Sequence, residues 1–594
     1  MSVKFTLKKN GGDLQELSKR FKISETTAQV LLNRDVRTFA DAQQFLYPSL
    51  SSLAPVDQMA GVAEAYAIIK EGLLKKDRIV VYGDYDADGV MSVAILVKAL
   101  TALNADCSYY IPKRGEEGYG LNNEAVVKLK EYECDLLITC DNGISAMYEI
   151  GQAKALGMKT IVIDHHEPGF MEDGGKRIDV LPDADAVIDP NMRGCTYPFK
   201  RMCAAGLCYR FTAGLFEYLN KPNPDADEAL AFACVATFCD IVDLRGENRV
   251  LAKNGLKLIN DGIGNKGLDA LIKEKNLAGR TIGDFEIGFI LGPCVNAAGR
   301  LEDAEQAAAM FLTDDSNEAE SIARRLSDLN EERKKMTAES YERIMDALPY
   351  PPDPVLVIYD ETTHESIAGI VAGRIKDKTR HPAIVFTGGG ELVKGSARST
   401  ESYNIFEELY KNRELFARFG GHAMAAGITI ETRNIEKLRD ALNEACALTE
   451  DDFEEAVKID GILSLPQITY ELAAELKLLE PYGKDNREPL FGSKNVAVTG
   501  IKFYDEKNTL IFYFSEDNET NKTPRTIKGV CFGKTDEFKS MLNERYDGYE
   551  LAKIMAGVLR AADLRLDIIY NIGINEYNGN VSVELKVRDF RFPG

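Results

Sequence analysis

The run Asp84-Tyr85-Asp86-Ala87-Asp88-Gly89 constrains this chain more than any other stretch. Ile79-Val80-Val81-Tyr82-Gly83 precedes it and Val90-Met91-Ser92-Val93-Ala94-Ile95-Leu96 follows it. That pattern predicts a buried strand, a tight acidic turn and a helix. In open α/β sheets, sites lie beyond the carboxyl ends of the strands. Three aspartates crowded there repel one another, and a bound divalent cation is the simplest way to keep them ionised. The same D-x-D-x-D-G pattern opens a calcium-binding EF-hand loop, which needs a Glu at its twelfth position. Counted from Asp84 that place holds Ile95, and the run follows a strand instead of a helix. A solvated acidic turn is the remaining alternative.

The same grammar recurs downstream. Cys107-Ser108-Tyr109-Tyr110-Ile111-Pro112 is a predicted strand ending in Lys113-Arg114, and Leu136-Leu137-Ile138-Thr139-Cys140 one ending in Asp141-Asn142-Gly143. Thr160-Ile161-Val162-Ile163 ends in Asp164-His165-His166. Acidic or imidazole groups thus follow three separate strands. The chain has only five histidines, so two in succession at a strand end point to ligands or acid–base groups. A helical run from Glu228 ends in Asp240-Ile241-Val242-Asp243, which makes Asp240 a further candidate ligand or a plain helix-end turn. Gly262-Ile263-Gly264-Asn265-Lys266-Gly267 matches the dinucleotide-binding glycine pattern but follows a helical stretch, so it reads as a turn.

Length bounds the architecture. The chain has 594 residues, and at about 150 residues per domain it holds roughly four domains. Residues 1–60 read as a small helical lead-in, with a capping pair at Thr38 and Asp41. Residues 61–303 alternate strands and helices, as a parallel sheet requires. No segment is continuously apolar enough to span a bilayer, so a soluble cytoplasmic protein without membrane partners is expected. Eleven scattered cysteines form no C-x-x-C pair, which disfavours structural zinc and a disulfide framework. The formal net charge of −22 opposes nucleic-acid binding overall, so a phosphate substrate needs a local basic pocket and metals.

A charged helix from Ser316 to Leu348 is predicted to bridge domains through solvent, over roughly 50 Å. Residues 304–350 form this connector, which stops at Tyr350-Pro351-Pro352. Residues 351–450 form a second α/β unit with two loops of interest, Gly395-Ser396-Ala397-Arg398-Ser399 and Gly420-Gly421-His422. Small residues let backbone approach a phosphate, and Arg398 offers it two hydrogen bonds; tight strand–helix packing explains the glycines equally well. Residues 451–594 carry short strand candidates at 496–498, 509–514, 526–532, 554–558 and 581–587, with Asn578-Gly579 as a hairpin turn. They suggest a small β-barrel of the OB kind, or another small β domain.

With these residues laid out, the chain resembles the RecJ single-strand-specific exonucleases of the DHH phosphoesterase superfamily. The D-Y-D-A-D-G run, the C-D-N-G turn, Asp164-His165-His166 and Asp240-Ile241-Val242 match the superfamily's metal motifs in order. Gly246-Glu247-Asn248-Arg249 and Asn296-Ala297-Ala298-Gly299-Arg300 resemble RecJ elements, Glu480-Pro481-Tyr482-Gly483-Lys484-Asp485-Asn486 resembles the stretch before the RecJ barrel, and Gly395-Ser396-Ala397-Arg398-Ser399 and Gly420-Gly421-His422 match the DHH-associated domain. The resemblance implies a parallel-sheet DHH catalytic domain, a connecting helix, a smaller α/β DHH-associated domain and a C-terminal OB barrel. It implies that Asp86, Asp88, Asp141, His165 and Asp240 hold two Mn²⁺ or Mg²⁺ ions, with Asp84 as a further ligand or an orienting group. His166 would steady the scissile phosphate or the departing oxygen, with Asp141 also in a catalytic role. Arg114, Asn296, Arg300, Ser396, Arg398 and His422 would bind substrate. The implied substrate is single-stranded DNA with a free 5′ end, digested 5′ to 3′ in repair and recombination, with a helicase and a single-strand-binding protein as collaborators.

The chain departs from the pattern in two places. Some superfamily members carry histidine where Tyr82 stands, which leaves Asp84 or a water to serve there. Asp243 replaces a frequent proline, a change expected to matter little. A DHH enzyme acting on short oligonucleotides or cyclic dinucleotides is the first competing reading, and the connecting helix and barrel disfavour it. A non-catalytic replication scaffold is the second, disfavoured because every ligand position except Tyr82 is filled.

Overall fold

The computed structural model describes residues 4–8, 11–454, 456–515, 526–557, 559, 564–577 and 579–593. The chain forms two compact units, one from Leu50–Asp243 and Glu247–Glu455, the other from Val3–Ser49, Leu244–Gly246 and Ala456–Gly594.

The first unit contains a five-stranded, all-parallel sheet. Its strands run in the order Asp106–Tyr110, Arg78–Tyr82, Leu136–Cys140, Lys159–Ile163, Ala186–Ile188. Such a sheet is covered on both faces and needs near-continuous apolar strands. Leu136–Cys140 is buried at every residue. Register aligns Tyr82 with Thr139 and Thr139 with Val162. The three chemically loaded turns therefore leave the sheet side by side.

A second sheet in this unit runs Phe416–His422, Ala425–Glu431, Leu392–Arg398, Ala383–Thr387, Leu356–Tyr359. Its two glycine-bearing stretches, expected as loops, are strand: Gly395 to Arg398 lies inside Leu392–Arg398, and His422 ends Phe416–His422. A Cβ at Gly395 would sit 2.4 Å from the Phe386 ring, so the glycine is there for packing. The connecting helix Ser316–Ala347 is also not solvent-borne. Ala319, Ala323, Leu326, Leu329, Asn330 and Ile344 are buried along it, because it packs on the helices Lys266–Glu274, Gly292–Leu301 and Glu365–Thr379. Asn330, expected in a polar stretch, has no exposed surface at all.

The second unit is a closed five-stranded barrel with additions. Its strands Phe491–Tyr504, Thr509–Ser515, Thr526–Phe532, Asn580–Arg591 and Arg565–Tyr577 pair in that order, and the first pairs back onto the last. The expected strand at 554–558 is a helix, Gly548–Met555, in which Leu551 and Ile554 share one packed face; Val558 and Asn578 lie outside the described residues. The amino-terminal helices belong here. Leu17, Val30, Leu31 and Phe45 share a core with Phe491 and Phe512, and strand Lys4–Leu7 pairs in parallel with Ala456–Ile459. Arg34 donates to Asn486 Oδ1 at 2.7 Å and Asn33 to the Asp460 carbonyl at 3.0 Å.

Candidate metal centre and phosphate cavity

The acidic turn is held from both ends. Asp86 caps the helix Ala87–Ala102, its Oδ1 accepting from the amides of Asp88 at 2.9 Å and Gly89 at 3.2 Å. This is ordinary N-capping, and it leaves the second oxygen for other work. A Cβ on Gly89 would lie 2.4 Å from the Asp84 carbonyl oxygen, so only glycine lets the turn close. The helix Gly292–Leu301 seats the turn from outside. Asn296 Oδ1 accepts from the Ala87 amide at 2.8 Å, and a Cβ on Gly299 would meet the Tyr85 carbonyl at 2.1 Å.

Three further segments bring donors to this turn. Asp141 follows its strand in the left-handed region, φ 62°, a conformation aspartate tolerates better than most residues. Its carboxylate lies 3.2 Å from His165 Nε2, which is also 3.7 Å from Asp88. His165 Nδ1 is 4.0 Å from Asp240, the residue that ends helix Ala226–Cys239. Candidate ligand atoms of Asp84, Asp86 and Asp141, of Asp141, His165 and His166, and of Asp88, His165 and Asp240 form three groups. Within each, all atoms lie within 4.8 Å of one another.

Asp88 is further tied to the start of helix Ala204–Tyr218, accepting from the amides of Ala204 at 2.8 Å and Ala205 at 2.7 Å. A carboxylate gains stability at such a helix end.

The electrostatics are those of a cation site. Burial, then repulsion from Asp86, pushes the Asp88 carboxyl up to about 7 and Asp84 well above the carboxylate range. Burial, then the charges of Asp88, Asp86 and Asp84, does the same to Asp141. Burial, then the charge of His166, lowers His165 to about 4 and keeps it a neutral donor. Asp84 Oδ1 is buried without a hydrogen-bond partner. Carboxylate oxygens with an imidazole suit Mn²⁺ or Mg²⁺, and a cation there removes the repulsion. The donor set therefore fits such ions.

His166 is arranged differently. Its Nδ1 lies 2.7 Å from Asp164 Oδ1, and its Nε2 lies 3.2 Å from the Tyr119 hydroxyl. Burial lowers its pKa, but the Asp164 hydrogen bond and charge override this and raise it to about 9. Asp164 also accepts from the backbone amides of His165, His166 and Ile144, so it orients the imidazole. The first residue of the D-H-H triplet carried that signal. Tyr82 is a core residue, donating to the Gly120 carbonyl at 3.0 Å and stacked on Tyr110. Asp243, expected to matter little, is buried and ion-paired with Arg201. Glu247 accepts from the Ala54 amide and the Tyr197 hydroxyl, so the G-E-N-R stretch is structural.

Beside the acidic turn lies a cavity of about 250 Å³, lined by Asp84, Tyr85, Asp86, Arg114, Tyr119, Asn296, Arg300, Ser366, Gly369, Ser396 and Arg398. Arg300 Nη1 donates to the Ser366 carbonyl at 2.8 Å. Arg114 lies over the Tyr85 ring, 5.2 Å from its centroid. His422 is not in the cavity wall; it is exposed on the strand next but one to Arg398, at the same level through Ala425. Tyr119, Ser366 and Gly369 were not anticipated. Tyr119 sits in a Gly-Tyr-Gly run, the one local sign of a functional turn; Ser366 and Gly369 come from a helix whose sequence carries no such mark.

A parallel sheet that ends in clustered carboxylates and imidazoles, beside an arginine-lined cavity shared with a second sheet, defines a DHH-type phosphoesterase. Residues 78–237 match the DHH family, N-terminal domain, residues 353–448 the DHHA1 domain, and residues 459–589 the RecJ OB domain. The chain belongs to the RecJ family. It is 32% identical over 585 residues to the single-stranded-DNA-specific exonuclease RecJ of Bacillus subtilis strain 168, covering 97% of this chain and 69% of that one. Against the Escherichia coli K12 protein of that name it is 34% identical over 475 residues, covering 75% and 80%. The crystal structure of RecJ in complex with Mn²⁺ from Thermus thermophilus matches with a TM-score of 0.81 at 27% identity, over 100% of this chain and 80% of that one. That protein was also solved with Mg²⁺, matching at a TM-score of 0.75, 26% identity and 100% and 79% coverage.

Proposed function

We propose that the protein is a single-stranded-DNA-specific exonuclease that hydrolyses phosphodiester bonds from the 5′ end, in DNA repair and recombination in the cytoplasm. The observation that carries this reading is the convergence of Asp86, Asp88, Asp141, His165 and Asp240 beside a cavity holding three arginines. These five residues, with Asp84, would hold two Mn²⁺ or Mg²⁺ ions. Such ions, when bound, polarise the attacking water and offset the charge that builds on the phosphate. The chain's own groups do the rest. His166, held by Asp164, keeps a proton at Nε2 for the departing oxygen. Arg114, Arg300, Ser396 and Arg398 grip the terminal phosphate and thereby set polarity, with Asn296 bracing the acidic turn and His422 reaching the strand at the rim. A helicase and a single-strand-binding protein are its proposed collaborators.

The test is digestion of end-labelled single- and double-stranded DNA with Mn²⁺. The expected result is mononucleotide release from single strands, its loss in Asp141→Ala, and weak activity when the 5′ end is blocked. Rapid digestion of blunt duplex overturns the strand preference.

A further inference from the structure

Two further arginines, Arg333 and Arg374, stand on helices packed around the cavity's wall. Among the described residues, none of Arg114, Arg300, Arg333, Arg374 and Arg398 forms an ion pair, although the chain carries 94 acidic side chains and the neighbouring Lys334 pairs with Glu331 at 2.9 Å. Arg333 is fixed in place: its Nε and Nη2 donate to Asn330 Oδ1 at 3.1 and 2.9 Å. Asn330 is wholly buried, and its amide nitrogen is spent on Cys294 Sγ. A buried amide used to orient an unpaired guanidinium is a pre-organised anion contact.

The helices Gly292–Leu301, Ser316–Ala347 and Glu365–Thr379 pack on one another, and they carry Arg300, Arg333 and Arg374. Burial lowers the Arg300 pKa to about 10, followed by repulsion from Arg114 and then Arg333, while Asp86 opposes it. Burial, then repulsion from Arg374, lowers that of Arg333. Arg374 adjoins Gly373, whose Cβ position lies 3.9 Å from the Arg398 side chain. Arg300 reaches the Ser366 carbonyl of Glu365–Thr379, Gly373 of that helix faces Arg398, and Asn330, which holds Arg333, bonds Cys294 of Gly292–Leu301, so Arg333 and Arg374 stand on helices that supply the cavity wall or pack on those that do.

We propose that Arg333 and Arg374 extend the terminal-phosphate cavity into a polyphosphate site, which takes the outer phosphates of a 5′-triphosphorylated strand. The inference rests on the proposed exonuclease reading for the identity of the strand. A monophosphorylated end gripped by Arg114, Arg300 and Arg398 has its chain running toward the carboxylates. Further phosphates on that end are the groups left for Arg333 and Arg374 to meet.

The experiment uses the full chain without metal, in EDTA. Calorimetry compares inorganic tripolyphosphate with orthophosphate, and fluorescence anisotropy compares 3′-labelled single strands bearing 5′-triphosphate, 5′-monophosphate or 5′-hydroxyl. Tripolyphosphate is expected to bind about tenfold tighter than orthophosphate, as one further charge-assisted contact implies. The triphosphorylated strand should exceed the monophosphorylated one by a similar factor. Arg333→Gln with Arg374→Gln should abolish both increments and leave intact the monophosphate-over-hydroxyl preference and, in a separate assay with Mn²⁺, digestion of the monophosphorylated strand. Equal binding of the two inorganic anions, or increments that survive in the double variant, overturns the site. Loss of the monophosphate preference in the parent chain, with tripolyphosphate still bound through both arginines, would instead overturn the exonuclease reading and leave the anion site standing.

Discussion

Single side chains decide whether the carboxylate cluster exists at all. Gly89→Ala places a methyl 2.4 Å from the Asp84 carbonyl. Backbone must shift to relieve that, so Mn²⁺ binding measured by calorimetry should fall at least tenfold. Asp164→Asn should leave metal binding nearly unchanged and lower kcat about 10- to 100-fold, the usual cost of losing an orienting partner; an unchanged kcat would strip Asp164 of that role. Tyr82→Phe removes the hydroxyl's bond to Gly120 and leaves the ring packing in place, so thermal stability should drop by about 1 kcal/mol with metal affinity intact. A large loss of affinity there would return position 82 to the metal site.

At the scale of elements, the connecting helix is anchored to the second sheet by Arg343, whose Nη2 lies 2.6 Å from Asp360. Burial pushes the Asp360 carboxyl up, but hydrogen bonds from Arg343, Thr363 and Thr362 outweigh it and hold it at about 2. A depressed carboxylate contributes stability above its unfolded pKa of about 3.9, and the contribution is lost as pH falls toward 2. Parent and Asp360→Asn should therefore differ in melting temperature at pH 6 and converge between pH 4 and pH 2. The elements legible in the sequence are those with a local cause. Leu136–Cys140 reads as a strand because burial on both faces demands an unbroken apolar run, and the acids stand at its end because that is where a parallel strand opens to solvent. Gly548–Met555 passes for a strand because Ile554 and Met555 carry the same apolar character in either period, and the helix is short. The pairing of Lys4–Leu7 with Ala456–Ile459 has no local trace at all. Nor do Ser366 and Gly369 announce themselves; they reach the cavity only because a helix from the second sheet packs there.

For the whole molecule, metal binding should act on one unit. Ions that bind only the folded form stabilise it by about 2.7 kcal/mol at a concentration one hundred times Kd. All candidate ligands lie in the unit built around the parallel sheet. Scanning calorimetry with Mn²⁺ should raise one transition and leave the barrel's transition unmoved, and Asp141→Ala should erase the rise. The barrel unit carries its own constraint. Its first strand is hydrogen-bonded to residues 456–459, and Lys8 meets Asp460 across 452 positions of chain. At roughly 5–20 residues per second of synthesis, the leading helices must wait about 20–90 s on the ribosome for the partners that bury Leu31 and Phe45. During that interval the nascent protein displays an unshielded oily edge, and a chaperone that reads such edges would find its client between Leu17 and Phe45.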